Sequence, residues 1–191
     1  MGEGNEMKSP VVAALLAAIA VCLAVGVTTA FAGGGSSTIN GTTHCNPSDP
    51  LCGVNPLLTG PPPPFVSIPS NCPAFLSSDN WSLNFVDGNS VSHGTLNKNG
   101  DWGGFTAEGP AVLTTSDGTA QYSGHATAWG GGGQNSNPGG PPTQQSENGF
   151  TLHFNGSGPA GTVSIHVNQH QTTNNSGTPT SNATNVNVSC G

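Results

Sequence analysis

From residue 80 onward, apolar and polar residues alternate with a period of two, and nowhere do they recur at helical spacing. The stretch 162–170, TVSIHVNQH, is the clearest case. Val163, Ile165 and Val167 point one way, and Ser164, His166, Asn168 and His170 point the other. The same alternation predicts seven strands: 80–86, 90–96, 101–115 with a break at Gly109-Pro110, 119–129, 149–156, 162–172 and 183–190. Thr, Val, Gly and Asn dominate this region, a mixture that suits strands and turns. Asp87-Gly88, Asn99-Gly100 and Asp117-Gly118 supply the tight-turn chemistry between successive strands.

The turns fix a register, and the register fixes two faces. A two-residue turn at Asp87-Gly88 carries the face of Trp81, Leu83 and Phe85 into Ser92, Gly94 and Leu96. Asn99-Gly100 carries it on to Gly103, Phe105 and Ala107, and Asp117-Gly118 sets Leu113 opposite Tyr122 and Ala111 opposite Gly124. Phe150, Leu152, Phe154, Val163, Ile165, Val167, Val186 and Val188 extend the same apolar face. Agreement between independently placed turns supports the pattern. The predicted fold is all-β, an antiparallel meander closing into a full or nearly full barrel, because closure removes exposed edges. A two-sheet sandwich is the alternative. Trp81, Phe85, Phe105, Tyr122 and Phe154 are large enough to fill a small barrel rather than leave a ligand cavity.

Ahead of this domain the patterning changes. VVAALLAAIAVCLAVGV is an unbroken apolar run, followed by AFA at 30–32 with small residues where a signal peptidase reads. Residues 1–32 are expected to be a signal peptide cleaved after Ala32, the alternative being an uncleaved N-terminal membrane anchor. Glu3 and Glu6 stand where such a leader carries positive charge, whereas Met7-Lys8 gives the usual basic start. Back-translated, residues 2–6 form a purine-rich run like a bacterial ribosome-binding site, so Met7 is expected to be the true start and the host bacterial. Residues 33–70 read as a linker, flexible and Gly/Ser-rich first, then Pro-rich with GPPPP at 60–64. The folded domain is expected over 71–191.

Charge is scarce. Only 6% of residues are charged, arginine is absent, and the basic residues are Lys8 and Lys98. After the leader, one lysine faces seven acids, a net charge of −6. Nothing is available to neutralise phosphates, which argues against nucleic acid and anionic lipid as partners. Contact with a membrane is expected only through the leader, if it stays uncleaved. The four cysteines after the leader read as two disulfides in an exported chain. Cys45–Cys52 and Cys72–Cys190 are the favoured pairs, the second joining the two ends of the domain. No Cys-x-x-Cys spacing supports zinc instead.

The polar face collects His93, Glu108, His125, His153, His166 and His170. A GPAG turn at 158–161 sets His153 directly opposite His166, and a hairpin joining Trp129 to Gly149 sets His125 opposite His153. Opposed imidazoles can share an ion, so His125, His153, His166 and Glu108 form a candidate zinc or copper site. The plainer reading is the solvated side of a half-buried sheet. A row of histidines does not converge on a point, and no His-Glu-x-x-His or His-x-His signature is present. No catalytic residues are assigned. Asp87, Asp101 and Asp117 sit where hairpins favour Asp, and no Gly-x-Ser-x-Gly elbow occurs. Sequons at Asn40, Asn80, Asn155, Asn174, Asn182 and Asn187 carry little weight in a chain this rich in Asn, Ser and Thr.

Residues 130–148, GGGGQNSNPGGPPTQQSEN, are expected to form a structureless loop, either functional or disordered, and the lack of apolar anchors favours disorder. Trp129 at its base, with His93 and His170, is the candidate surface for binding a sugar ring or a partner. The strand Tyr-x-Gly-His-x-Thr-x-Trp (122–129), the following Phe-x-Leu-x-Phe-x-Gly strand and Gly-Thr-x-x-x-His-x-x-x-His (161–170) resemble secreted β proteins of high-GC Gram-positive bacteria. The resemblance covers roughly residues 72–190. It implies secretion and a β fold, and carries over no activity and no catalytic residue. The expected role is therefore an exported, non-enzymatic module for binding or structure at the cell surface or outside the cell. The alternative is a metal-binding protein or metal-dependent enzyme working through the histidine row.

Overall fold

The computed structural model describes residues 39–60, 66–78, 80–97, 100–118, 120–135, 145–174 and 179–191. The leader at 1–32, the start of the tether at 33–38, most of the proline run and the tip of the expected loop at 136–144 lie outside the described residues. Among the described residues nine strands make one antiparallel sheet: β1 (Ile39–Cys45), β2 (Leu58–Thr59), β3 (Trp81–Phe85), β4 (Asn89–Asn97), β5 (Gly100–Thr115), β6 (Gln121–Asn135), β7 (Gln145–Gly158), β8 (Gly161–Thr173) and β9 (Pro179–Cys190). A 3₁₀ turn at Pro50–Cys52 and a single helical turn, α1 (Phe75–Ser78), complete the described elements. No described helix is long and apolar enough to cross a membrane.

The strand order is β1-β4-β5-β6-β7-β8-β9, with β3 also on β5 and β2 on β3. Among the described residues no pairing joins β9 to β1 or β2. The sheet is open where a closed or nearly closed barrel was expected, and it is one sheet rather than the two of a sandwich.

The Asp117-Gly118 reading holds. Leu113 faces Tyr122 and Ala111 faces Gly124, around a turn in which the Gly118 N–H donates to the Thr115 carbonyl at 3.0 Å with φ at 71°. The Asp87-Gly88 reading does not. β3 and β4 run in the same direction along one edge of β5, as a single long strand interrupted at 86–88. There three residues oppose the two of Gly109-Pro110, which makes a bulge. Gly88 has φ of 136°, and Pro110, with no N–H to offer the ladder, accepts from the Val86 N–H at 3.0 Å. A hairpin and a bulge both call for a glycine at positive φ, so the dipeptide could not distinguish them. The extra residue swaps the inward side from odd positions in β3 to even positions in β4, as the expected hairpin would have done. Ser92, Gly94 and Leu96 therefore stay on the inner face.

Two further corrections follow from the ladder. Asn97 pairs with Gly100, so β4 and β5 meet two residues earlier than an Asn99-Gly100 turn would set them, with the faces unchanged. The loop expected at 130–148 is mostly strand, because β6 continues to Asn135 and β7 begins at Gln145.

The segment expected to be linker is part of the fold from residue 39. β1 pairs with β4 along its full length, from Ile39 opposite Leu96 to Cys45 opposite Ser90. Cys52, Val54, Leu57 and Leu58 are buried in one cluster with Leu83, Leu113, Leu152 and Phe154. Asn55 substitutes for a neighbouring strand: its amide donates to the Phe85 carbonyl at 2.9 Å, and its side-chain oxygen accepts from the Phe85 N–H at 2.8 Å. Beyond it, Leu57 and Gly60 donate to the carbonyls of Leu83 and Trp81. Phe75 and Leu76 of α1 then cover the apolar face, Phe75 lying 5.7 Å from the Tyr122 ring. Cys72 is bridged to Cys190 with Cα atoms 5.1 Å apart, and Asn71 donates to the Cys190 carbonyl at 2.6 Å. Residues 66–78 thus form a covering segment that is tied covalently to β9. Cys45–Cys52 clips β1 to the 3₁₀ turn, Cα atoms 5.9 Å apart. Both expected pairings are present, and such bridges persist in oxidising compartments.

Candidate functional site

Position along a strand decides which side chains share the outer face, and pairing decides which lie side by side. The cross-strand row Glu108–Thr127–His153–His166–Asn187 runs through β5 to β9. His153 and His166 are directly opposed, as read from the GPAG turn, and their rings stack with centroids 4.1 Å apart and planes 19° from parallel. Trp129, one row along on β6, stacks on the other side of His153 at 5.4 Å and 18°. Three strands therefore contribute to one continuous stack, indole–imidazole–imidazole.

The rest of the proposed metal set does not assemble. His125 opposes Asn155 rather than His153, because β6 and β7 pair two residues away from the expected register. Thr127 occupies the place opposite His153, and the shift brings Trp129 rather than His125 onto the ring. Glu108 shares the row but lies two strands from His153, about 9–10 Å at normal strand spacing. Among the described residues no group of three or more His, Cys, Asp or Glu side chains is placed to hold a metal ion.

The next row but one along the strands is His93–Gly104–Gly131–Gly149–His170. Its three central positions, on three adjacent strands, carry no side chain. His93 lies over Gly104, where an added Cβ would come 3.1 Å from the ring, and His170 hydrogen-bonds Glu147 at 2.9 Å. Beyond this trough stands Trp102, whose indole lies across Gly133 with Cδ2 2.6 Å from where a Cβ would be. Trp102 and Trp129 are each 44% exposed and flank the trough on opposite sides.

Sequence reasoning missed Trp102, Gly131, Gly133 and Gly149. The signal for Trp102 was available, since it alternates with Gly103 and Phe105 in the same strand. The glycines were hidden because GGGG reads as loop, although the Asp117-Gly118 register, continued past Trp129, places Gly131 opposite Gly104.

On the far side of the histidine row, near the β7–β8 turn, the outer face holds a shallow open groove of about 550 Å³. Ser123, Asn155, Ser157, Thr162, Ser164 and Ser189 line it with hydroxyls and an amide. The outer face thus offers neutral hydrogen-bonding groups on either side of an aromatic centre. Its acids on the strands are Glu108 and Glu147, and the chain's two basic residues, Lys8 and Lys98, lie outside the described residues. No family model matches this chain, nor does any curated protein or solved structure.

Proposed function

We propose that this chain is an exported, non-enzymatic module that binds its target through the outer face of the sheet. The carrying observation is the pair of half-exposed tryptophans, Trp102 and Trp129, on the face that also bears the stacked imidazoles. Indoles give large, rigid contact area at low entropic cost, and exposed aromatics grouped on one face mark interaction surfaces. Export is supported by the apolar leader at 1–32 and by two disulfides, which suit a compartment outside the cytosol. Barrel closure is not needed for this role, because the side chains that carry it lie on the outer face of the sheet.

Tryptophan emission tests the reading directly. Untagged protein is titrated with neutral oligosaccharides, short peptides, zinc(II) and copper(II) while emission is recorded. The expected outcome is a saturable change with at least one member that is lost in both Trp102→Ala and Trp129→Ala. A response that survives both replacements, or no response from any member, overturns the proposal. Stoichiometric zinc or copper that is lost in His166→Ala would replace it with the metal-binding alternative.

A further inference from the structure

We infer that the aromatic outer face takes a neutral polysaccharide chain, laid across the strands between Trp102 and Trp129; this rests on the outer face being the binding surface. The charge pattern selects the partner class. Glu108 and Glu147 are the acids on the outer face of these strands, Asp101 of β5 lying on the other face; no lysine or arginine faces them among the described residues, and the chain after its leader is acidic overall. A polyanion would be repelled, and a polycation would find only scattered carboxylates, one of them already bonded to His170. A sugar polymer needs neither. Its C–H faces pack on indole rings, and its hydroxyls exchange hydrogen bonds with side chains such as His93, Glu147, Thr151, Asn168 and His170 around the trough.

The space between the indoles fits a chain rather than a single sugar. Between the rows of Trp102 and Trp129 the side-chain-free floor spans Gly104, Gly131 and Gly149 on three adjacent strands, two strand intervals or about 10 Å at normal spacing, roughly two sugar rings, with His93 and His170 at its ends. Its floor is backbone. Gly131 has a packing reason to be glycine, since a Cβ would sit 2.8 Å from the Gly103 carbonyl oxygen, and Gly104 has His93 above it. Gly149 has none: its φ is not positive, and an added Cβ would meet nothing nearer than 3.9 Å. Glycine weakens a strand interior, and where no bulge, bend or local packing calls for it, a close approach of something else to the backbone is the remaining reason. Gly149 lies midway between the row of Trp129 and the row opposite Trp102.

Native gels cast with hydroxyethyl cellulose, xyloglucan, laminarin or soluble starch, and with alginate as the anionic polymer, test this. The wild-type protein should be retarded by at least one neutral polymer and not by alginate. Gly149→Val fills the trough from an unstrained position, so it should abolish retardation while leaving the melting temperature within a few degrees. Gly149→Ala should weaken it partly, and Trp102→Ala should weaken it at least tenfold. No retardation by any neutral polymer, retardation by alginate alone, or equal retardation of Gly149→Val and wild type overturns the inference. Retardation lost in Trp129→Ala but kept in both Gly149 variants rejects the trough while leaving the outer-face reading in place.

Discussion

Ser90 shows how little separates a tolerated residue from an optimal one at the scale of single side chains. It faces inward on β4 between Cys45 and Ala107, fully buried, and its hydroxyl has no hydrogen-bond partner among the described residues. A buried hydroxyl without a partner loses its bond to water and gains nothing in return, a cost of about 1–3 kcal/mol. Ser90→Ala removes the hydroxyl and leaves the neighbours in place. It is expected to raise stability by about 1 kcal/mol, measured by urea denaturation; a fall of that size would show that the hydroxyl has a partner. On the other face the contacts are of another kind. The stacked His153 and His166 and the half-exposed Trp129 pack against one another in water, where removing one ring costs far less than opening a cavity in the core. Such residues are free to be chosen for what they bind.

The bulge at 86–88 determines how the elements fit. Without it β3 and β4 could not share one edge of β5, because the alternation would carry the apolar side of β3 onto the wrong face of β4. Gly88 and Gly109 touch there: a Cβ on Gly88 would meet the Glu108 carbonyl oxygen and come 3.0 Å from the Gly109 Cα. Asp87 holds the kink from outside, accepting from the Gly88 N–H at 2.8 Å and from the Asn46 amide at 2.7 Å. Gly88→Ala therefore meets both an unfavourable φ and a backbone collision. It should cost about 1–3 kcal/mol, seen as a lower melting temperature with unchanged strand content. A wild-type melting curve would mean that the bulge relaxes freely.

For the whole molecule, the two disulfides have unequal tasks. Cys72–Cys190 spans 118 residues and anchors the covering segment to the last strand. In the chain-entropy view a loop of that length contributes about 4–5 kcal/mol, a large part of the stability of an ordinary domain. Cys45–Cys52 spans 7 residues and contributes about 2–3 kcal/mol by the same reasoning. Cys190→Ser is expected to unfold the domain or lower its denaturation midpoint sharply. Cys45→Ser should leave a folded protein with a smaller shift, since it frees only β1 from the 3₁₀ turn. Equal midpoints for the two variants would show that the long bridge is not what holds the cover in place.

The sequence by itself determined what depends on neighbours along the chain. Period-two alternation gave the strands from β3 onward, Asp117-Gly118 gave the β5–β6 register, and GPAG gave the opposition of His153 and His166. The pairing Cys72–Cys190 was also legible, though the reason was not. It ties a covering segment across an open sheet instead of sealing a barrel. The tertiary structure alone decided the rest, wherever the same residues suit two local structures. Asp-Gly fits a hairpin or a bulge, and GGGG fits a loop or the middle of a strand between paired neighbours. PLCGVNPLLTG carries turn residues, yet buries Leu57 and Leu58 because a sheet with one apolar face must be covered by something. The trough between Trp102 and Trp129 belongs to this second class. It exists only when β4 to β8 are set side by side and the positions without side chains fall into one row.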